Sequence, residues 1–189
     1  MSRAIDVVLG ALGLVLSSPL LGLAVIAIRL DSRGPVIYRQ RRVGRGGEAF
    51  ELYKLRTMVE GSDPVGIGTV VTGDDPRVTR VGALLRRLSL DEVPNLLNVL
   101  RGEMAIVGPR PTIEAQVELY TPRQRRRLEV KPGMTGWAQV NGRAALPWEQ
   151  RIELDVWYVE HRSLLLDLRI LARTARLLLT GRGLTGSAA

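Results

Sequence analysis

The sequence contains no cysteine and one histidine, His161. Thiolate and imidazole are the main zinc ligands, and a thiolate is the nucleophile of cysteine enzymes. The composition therefore excludes zinc fingers, redox thiols, cysteine nucleophiles and histidine-rich metal centres, so any bound metal must be held by carboxylates. A chain of 189 residues can still bury a substantial core without disulfides, and one domain is expected.

Lysine and aromatic residues are also scarce. Of the 27 basic residues only Lys54 and Lys131 are lysines, and aromatic residues make up 4% of the chain. The net charge of +8 favours anionic partners. However, the basic run at 123–127 has only Tyr120 close by, and the chain offers few rings for stacking bases. The sequence therefore predicts lipid and phosphate partners and no nucleic acid, and the basic run is expected to be solvated or to face lipid.

The N-terminal segment is apolar, with no charged residue from 7 to 28. As one continuous helix it would extend roughly 33 Å, enough to cross a bilayer core. Pro19 interrupts it, because proline cannot donate to the Val15 carbonyl, whereas the Ser17 and Ser18 hydroxyls can bond to the carbonyls that are freed. The pattern predicts a re-entrant membrane helix broken at Ser18-Pro19 into two pieces. A spanning anchor and a secretory signal are the alternatives.

Positive charge flanks this segment and is heavier after it. Arg3 precedes the segment, and the arginines that follow it are at 29, 33, 39, 41, 42 and 45. By the positive-inside rule the body is cytoplasmic, so the expected location is the inner membrane. The strongly basic segment that follows argues against a secretory signal.

The rest of the chain has the pattern of a mixed α/β, helix-rich body. The predicted strands are 36–41, 49–55 and 104–107, and the predicted helices are 80–88, 90–100, 113–120, 122–128 and 148–161. No linker separates two domains, so 1–33 is expected to form the membrane helix and 34–189 one catalytic body.

A further amphipathic helix is predicted at 164–179. Leucine and alanine recur there at helical spacing, and arginines at 162, 169, 173 and 176 share the other side. Such a helix can lie on anionic lipid, or it can pack on the core with a solvated basic face.

Ser89, Asp91 and Glu92 are part of a Ser-x-x-Glu pattern that precedes an apolar run. Structurally this pattern predicts a capping box that begins a helix. Functionally, two adjacent carboxylates at a helix start lie in positive potential, where a phosphate can approach them. One carboxylate could then act as a nucleophile, and the other could hold Mg²⁺ together with substrate phosphates.

Phosphoryl transfer also needs cations to stabilise charge on the oxygens. The strongest candidate is Arg110, because prolines on both sides of it restrict its backbone. Two further pairs, Lys54 with Arg56 and Arg86 with Arg87, could contribute to the same anion pocket. The chain has no Walker A loop, dinucleotide-binding fingerprint or nucleophile elbow.

Four ordered motifs make the chain resemble the bacterial sugar transferases known as monotopic phosphoglycosyl transferases. They are YKLRTM at 53–58, the segment 75–94 that contains DPRVTRVG and LSLDEVP, GPRP at 108–111, and PGMTGWAQVNGR at 132–143. The resemblance extends over nearly the whole chain, most closely to the small members that consist of the catalytic unit alone.

The resemblance implies transfer of a sugar-1-phosphate from a UDP-sugar to a membrane polyprenol phosphate such as undecaprenyl phosphate, with release of UMP. It implies that Asp91 forms a covalent phosphosugar intermediate and that Glu92, with Asp91, ligates Mg²⁺, giving ping-pong kinetics. The remaining site residues that it implies are Lys54, Arg86 and Arg110 for phosphate, Gln139, Asn141 and Arg143 for nucleotide or sugar, and Ser18-Pro19 for the helix break. Membrane lipids are expected partners, and a homo-oligomer is left open.

Two other functions stay open from the residues themselves. A basic, non-enzymatic membrane adaptor would bind anionic lipid or RNA and would not depend on Asp91. A Mg²⁺-dependent phosphohydrolase would use the same two carboxylates with water as the acceptor.

Overall fold

The computed structural model describes residues 1–62, 75–142 and 145–180. The helices are α1 (Arg3–Asp31), α2 (Arg80–Arg87), α3 (Leu96–Arg101), α4 (Glu114–Glu118), α5 (Pro122–Arg125), α6 (Trp137–Val140), α7 (Trp148–Glu160) and α8 (Leu164–Thr180). The strands are β1 (Ile37–Val43), β2 (Ala49–Leu55), β3 (Ala105–Val107) and β4 (Gly133–Thr135). Short 3-10 segments cover Arg45–Gly47, Leu90–Asn95 and Arg126–Glu129. The helix-rich, mixed α/β class is confirmed.

Most predicted elements are present with shifted ends. The three predicted strands correspond to β1, β2 and β3, and the helices predicted at 80–88 and 148–161 correspond to α2 and α7. The single helix predicted at 90–100 is instead a 3-10 segment followed by α3. The sequence did not predict β4 and α6, which are only three and four residues long.

α1 is one helix of 29 residues that continues through Pro19. The helix therefore does not end at Ser18-Pro19, and the break predicted there stays a prediction. The Ser18 hydroxyl donates to the Val15 carbonyl (2.8 Å), the group that Pro19 leaves without an amide partner. Ser17 likewise donates to the Gly13 carbonyl (2.6 Å). These bonds satisfy the backbone around the proline, so the chain stays helical, and the re-entrant path stays a prediction.

α1 contacts the body near both of its ends. Near its start, Asp6 accepts a hydrogen bond from the Ile106 amide (3.0 Å), and Gly10 lies against side chains of α3. Near its end, Asp31 accepts from the Val81 amide (3.0 Å). A straight helix of this length spans roughly 43 Å. The body therefore lies alongside α1 and not at one end of it.

The side of α1 that faces away from the body is apolar and exposed. Its exposed side chains include Val8, Leu12, Val15, Leu16, Leu20, Leu23 and Ile26. Within the described ranges, α1 is the one helix long and apolar enough to cross a bilayer, and 11% of its most apolar stretch is buried. So low a buried fraction distinguishes α1 from the core helix of a soluble protein, and its outer side fits a lipid environment.

β1 and β2 form an antiparallel hairpin in which Tyr38 lies opposite Lys54. Asn98 of α3 fixes this hairpin, because its side-chain oxygen accepts from the Tyr53 amide (3.3 Å) and its nitrogen donates to the Glu51 carbonyl (2.6 Å). Asn98 is fully buried with both groups satisfied. The hairpin is thereby held over α3 and the adjoining 3-10 segment.

β3 and β4 form a parallel pair whose backbones approach closely at glycines. A Cβ atom at Gly133 would lie 2.1 Å from the Gly108 nitrogen, and one at Gly136 would lie 2.1 Å from the Gly108 oxygen. A side chain therefore cannot be placed at these positions without moving the backbone. The packing fixes the chain just before Pro109 and Arg110.

α8 packs on the body, as one of its two predicted interpretations expects, and its position on lipid stays a prediction. Leu166, Asp167 and Ile170 are buried against the body. The leucines at 164, 165, 168, 178 and 179 are exposed, next to the arginines at 169, 173 and 176. One side packs on the core, and the other side has the apolar and basic composition of an interfacial helix.

Candidate active site

Asp91 and Glu92 lie in the 3-10 segment Leu90–Asn95, directly after Ser89. Ser89 has φ +55°, a left-handed conformation that is uncommon for a residue with a side chain. Its side chain makes no capping hydrogen bond, so the predicted capping box is wrong. The Glu92 carboxylate that would complete the box is instead bound by cations from two distant segments.

Glu92 is held between Lys54 and Arg110. Its Oε1 accepts from Lys54 Nζ and from Arg110 Nη2, each at 2.7 Å. Burial alone would raise the pKa of Glu92, but the charges and hydrogen bonds of Arg110 and Lys54 outweigh burial and hold that pKa well below its ordinary value. Glu92 is therefore a fixed anion in a defined orientation.

Asp91 has a different environment. Across residues 1–62, 75–142 and 145–180 its carboxylate has no hydrogen bond or ion pair. Burial, followed by the charge of Glu92, raises the pKa of Asp91 above its ordinary value, against the opposing influence of Lys54, Arg86 and Arg110. Adjacent carboxylates whose pKa values move in opposite directions are typical of catalytic pairs with separate roles.

Arg86 is the cation on the Asp91 side of the pair. Its Nε donates to Thr57 Oγ1 (2.9 Å), and its charge acts on Asp91. α2 packs closely here, because a Cβ at Gly82 would lie 2.1 Å from the Thr57 oxygen. The structure thus brings the predicted phosphate cations Lys54, Arg86 and Arg110 to the same two carboxylates.

Arg56, also considered for the pocket, has a structural contact instead. β2 ends at Leu55, and the buried Arg56 donates to the backbone carbonyls of Ser32 (2.8 Å) and Arg33 at the end of α1. That expectation is wrong for Arg56, which ties the hairpin to α1.

Arg110 is fixed by more than its flanking prolines. Its carbonyl accepts a hydrogen bond from Arg127 Nη2 (2.9 Å), and Arg127 is buried and pairs with Asp155 of α7 at 2.5 Å. Arg127 Nη1 also donates to the Tyr120 hydroxyl oxygen. The expectation that the basic run is solvated or faces lipid is therefore wrong for Arg127. Sequence reasoning missed this pair because its two members belong to separate elements.

Asp155→Asn is expected to remove a pH dependence of stability between about pH 4 and pH 6. Burial raises the pKa of Asp155 to about 6 despite the opposing charges of Arg127, Arg151 and Arg110. Because the folded-state pKa lies above the unfolded one, the stability that protonation gives below about pH 4 is lost as the pH rises through 6.

The measurement is the free energy of urea unfolding of wild type and Asp155→Asn in one detergent from pH 4 to 7.5. The wild type should lose stability relative to the variant as the pH rises. If the difference in unfolding free energy between wild type and Asp155→Asn were constant from pH 4 to 7.5, it would contradict the raised pKa of Asp155.

Of the three residues predicted to contact nucleotide or sugar, two have contacts within the body and one lies outside the described residues. Gln139 is buried against Gly136, and both of its amide atoms lack a hydrogen-bond partner among the described residues. Asn141 donates to the Trp137 carbonyl (2.7 Å) and accepts from Arg173 of α8 (2.8 Å). Arg143 lies outside the described residues. The role of all three stays a prediction.

The carboxylate pair fits a Mg²⁺ ion that is shared with substrate. In the part of the chain that the structure describes, no cluster of three or more potential metal ligands occurs. Mg²⁺ commonly takes one or two protein carboxylates and completes its shell with phosphates and water. Among the described residues Asp91 has no competing partner, whereas Glu92 already accepts two hydrogen bonds on Oε1. These residues suit a Mg²⁺ site that is completed by substrate phosphates better than a site that holds Mg²⁺ permanently.

The combination of these features defines a class of protein. An exposed apolar helix lies along a small α/β body, and that body carries two carboxylates surrounded by arginine and lysine. Such a protein is suited to handle phosphates at a membrane.

Comparison with known proteins identifies the family. The family model described as bacterial sugar transferase matches residues 1–181. The chain is 45% identical over 184 residues to the uncharacterized sugar transferase EpsL of Bacillus subtilis (strain 168), covering 97% of this chain and 90% of EpsL. The chain belongs to the bacterial sugar transferase family and is a transferase, as the resemblance implies.

Two further relatives have names that state their substrates. The chain is 46% identical over 186 residues to the UDP-glucose:undecaprenyl-phosphate glucose-1-phosphate transferase of Caulobacter vibrioides, covering 94% of this chain and 69% of the relative. It is 41% identical over 187 residues to the UDP-N-acetylgalactosamine-undecaprenyl-phosphate N-acetylgalactosaminephosphotransferase of Aeromonas hydrophila. That match covers 96% of this chain and 44% of the relative. The two relatives use different sugars at similar levels of identity.

Proposed function

We propose that this protein transfers a sugar-1-phosphate group from a UDP-sugar to undecaprenyl phosphate and releases UMP. The observation that carries the proposal is the asymmetry of the carboxylate pair. Asp91 has a raised pKa and no partner among the described residues, whereas Lys54 and Arg110 hold Glu92. The names of the relatives support the same donor and acceptor classes.

In the first half-reaction an Asp91 carboxylate oxygen attacks the β-phosphorus of the donor. The new oxygen–phosphorus bond forms as the bond to the bridging oxygen breaks, and UMP leaves with that electron pair. The phosphosugar is then covalently attached to Asp91. A raised pKa makes the attacking oxygen more basic, and Lys54, Arg86 and Arg110 offset the negative charge that the phosphates bring.

In the second half-reaction an oxygen of undecaprenyl phosphate attacks the same phosphorus. The Asp91–phosphorus bond breaks, and the carboxylate is regenerated. Glu92, with Asp91, would hold Mg²⁺, which supplies further charge neutralisation at the phosphate oxygens when bound. Since UMP leaves before the acceptor reacts, the kinetics are ping-pong.

The contacts of α1 support a re-entrant anchor. Asp6 and Asp31, near its two ends, both bond to the body. A straight spanning helix would carry one of these ends to the far side of the bilayer, away from the body. In the proposed arrangement both ends stay on the cytoplasmic side of the inner membrane, and the exposed apolar middle dips into lipid. The carboxylate pair is then near the acceptor headgroup.

Cysteine labelling should place both ends of α1 on one side of the membrane. The chain has no cysteine of its own, so Ser2→Cys and Arg33→Cys each give a single reporter beside one end of α1. With a membrane-impermeant maleimide, both should react in inverted vesicles and neither in intact spheroplasts. Ala49→Cys, on the exposed surface of β2, is the control for the body. Labelling of Ser2→Cys from outside would contradict the re-entrant path.

The reaction itself is tested with the full chain in detergent, Mg²⁺, undecaprenyl phosphate, and UDP-glucose or UDP-N-acetylgalactosamine. The expected result is UMP release that is matched by lipid-linked sugar. UMP and free sugar phosphate formed without acceptor would indicate a phosphohydrolase. Lipid or RNA binding with no turnover of any donor would indicate the adaptor.

A further inference from the structure

Thr57 lies just after β2, at the point where the chain meets the start of α2. Its carbonyl accepts a hydrogen bond from the Thr79 amide (3.1 Å). Met58, the next residue, forms an antiparallel bridge with Val78. Gly82 of α2 approaches the Thr57 carbonyl so closely that a side chain at Gly82 would collide with it. The backbone of Thr57 is therefore fixed against α2, and Thr57 is buried.

The Thr57 hydroxyl is the protein's contact for the Arg86 guanidinium. Arg86 Nε donates to Thr57 Oγ1 (2.9 Å), and within residues 1–62, 75–142 and 145–180 this guanidinium makes no other hydrogen bond or ion pair. Arg86 is half-buried. A guanidinium has donors at Nε and at both terminal nitrogens. With Nε held by Thr57, the Nη1 and Nη2 groups are left to donate to a ligand anion.

Arg86 is the cation beside the proposed nucleophile. Burial lowers the pKa of Arg86, and among the charges that oppose this effect the charge of Asp91 acts most strongly. Glu92 is bonded instead by Lys54 and Arg110. A phosphate that bonds to Asp91 would therefore meet the Nη groups of Arg86.

The segment 54–57 supports the site at two points. Lys54 bonds directly to Glu92, whereas Thr57 bonds to Arg86. An arginine side chain has considerable rotamer freedom, and ordering it on ligand binding costs free energy. A hydrogen bond at Nε that exists before the ligand arrives reduces this cost. Thr57 therefore acts on the reaction through Arg86.

We propose that Thr57 is a positioning residue whose hydroxyl holds Arg86 in the orientation that binds the phosphate transferred through Asp91. The inference rests on the proposed transfer from a UDP-sugar. It adds to that reaction a side chain that contacts neither the substrate nor Mg²⁺. The part of Thr57 that the reaction needs is the hydroxyl and not the methyl group.

The test separates the hydroxyl of Thr57 from its volume in the full chain. Thr57→Val keeps the shape and removes the acceptor, whereas Thr57→Ser keeps the acceptor and removes a methyl group. The same phosphate is transferred in both half-reactions, so Thr57→Val should lower both the donor and the acceptor kcat/KM about 5- to 20-fold. Thr57→Ser should stay within about threefold of wild type. Thr174→Val is the control, because that hydroxyl bonds to Thr135 and the Ile170 carbonyl and to no residue of the carboxylate site.

Arg86→Met gives the second comparison, because methionine cannot donate to Thr57. Adding Thr57→Val to Arg86→Met should lower either kcat/KM by less than about twofold further, since no guanidinium is left to orient. Losses that multiply in the double variant would show that Thr57 acts independently of Arg86 and would overturn the proposal. A larger loss in Thr57→Ser than in Thr57→Val would also overturn it, because that order indicates a packing role.

Equilibrium dialysis with UDP and UMP in the presence of Mg²⁺ needs no turnover. UDP retains the phosphate that Arg86 would bind, and UMP lacks it. Thr57→Val should raise the Kd of UDP about 5- to 20-fold and leave the Kd of UMP within about twofold of wild type. Equal weakening of both nucleotides would indicate general damage to the site and would overturn the proposal.

The same measurements distinguish failure of this inference from failure of the proposed function. If wild type binds UDP but forms no lipid-linked sugar, the proposed function fails, and the comparison of UDP with UMP still decides the role of Thr57. Wild type that neither binds UDP nor forms lipid-linked sugar would overturn both. An active wild type with an equally active Thr57→Val would overturn the role of Thr57 alone.

Discussion

Asp91→Asn is expected to lower sugar-phosphate transfer at least about 10⁴-fold without loss of the fold. An amide cannot replace the carboxylate oxygen that bonds to phosphorus, and removal of a covalent nucleophile has effects of this size or larger. Burial raises the pKa of Asp91, so the folded protein already disfavours its charge, and Asp91 has no partner to lose among the described residues. The melting temperature should therefore stay the same or rise.

Intact-protein mass spectrometry gives the direct measurement. With donor and Mg²⁺ but no acceptor, wild type should gain the mass of one phosphosugar, and Asp91→Asn should gain none. Asp31→Asn is the matched control, because an amide oxygen there can still accept from the Val81 amide. Turnover above one tenth of wild type in Asp91→Asn would reject Asp91 as the nucleophile.

The sequence predicted the residue types at the site better than their local structure. Asp91 and Glu92 stand out because they are adjacent carboxylates within the LSLDEVP motif. Ser89 and Glu92 of the same motif also match the pattern of a capping box. The structure has no such box, because Glu92 bonds to Lys54, 38 positions earlier, and to Arg110, 18 positions later. A local pattern cannot reveal partners that are brought together by tertiary packing. The positive φ of Ser89 had no signal in its residue type.

α1 and Arg127 illustrate two other limits of sequence reasoning. Proline removes a backbone hydrogen bond wherever it occurs in a helix, but whether the helix ends depends on what satisfies the freed carbonyl, here the Ser18 hydroxyl. Arg127 belongs to a run of similar residues, and only the fold separates it from its exposed neighbours by placing Asp155 beside it.

Glu92→Gln is expected to lower turnover by about 10²- to 10³-fold while a phosphosugar adduct still forms slowly on Asp91. Glu92 is the anion that Lys54 and Arg110 share at 2.7 Å. Glutamine keeps the shape and one acceptor oxygen, but it removes the charge that orders both cations and that would bind Mg²⁺. Loss of one preorganised electrostatic group in a partly buried site has an effect of this magnitude.

The dependence of rate on Mg²⁺ separates the two roles of Glu92. If Glu92 is a ligand, the half-saturating Mg²⁺ concentration should rise about 10- to 100-fold in Glu92→Gln, beyond any fall in kcat. Glu51→Gln is the control, because Glu51 is an exposed carboxylate on β2, the strand that carries Lys54. An unchanged Mg²⁺ dependence would leave Glu92 only the role of ordering Lys54 and Arg110. Complete loss of the adduct in Glu92→Gln, with an adduct retained in Asp91→Asn, would exchange the roles of the two carboxylates.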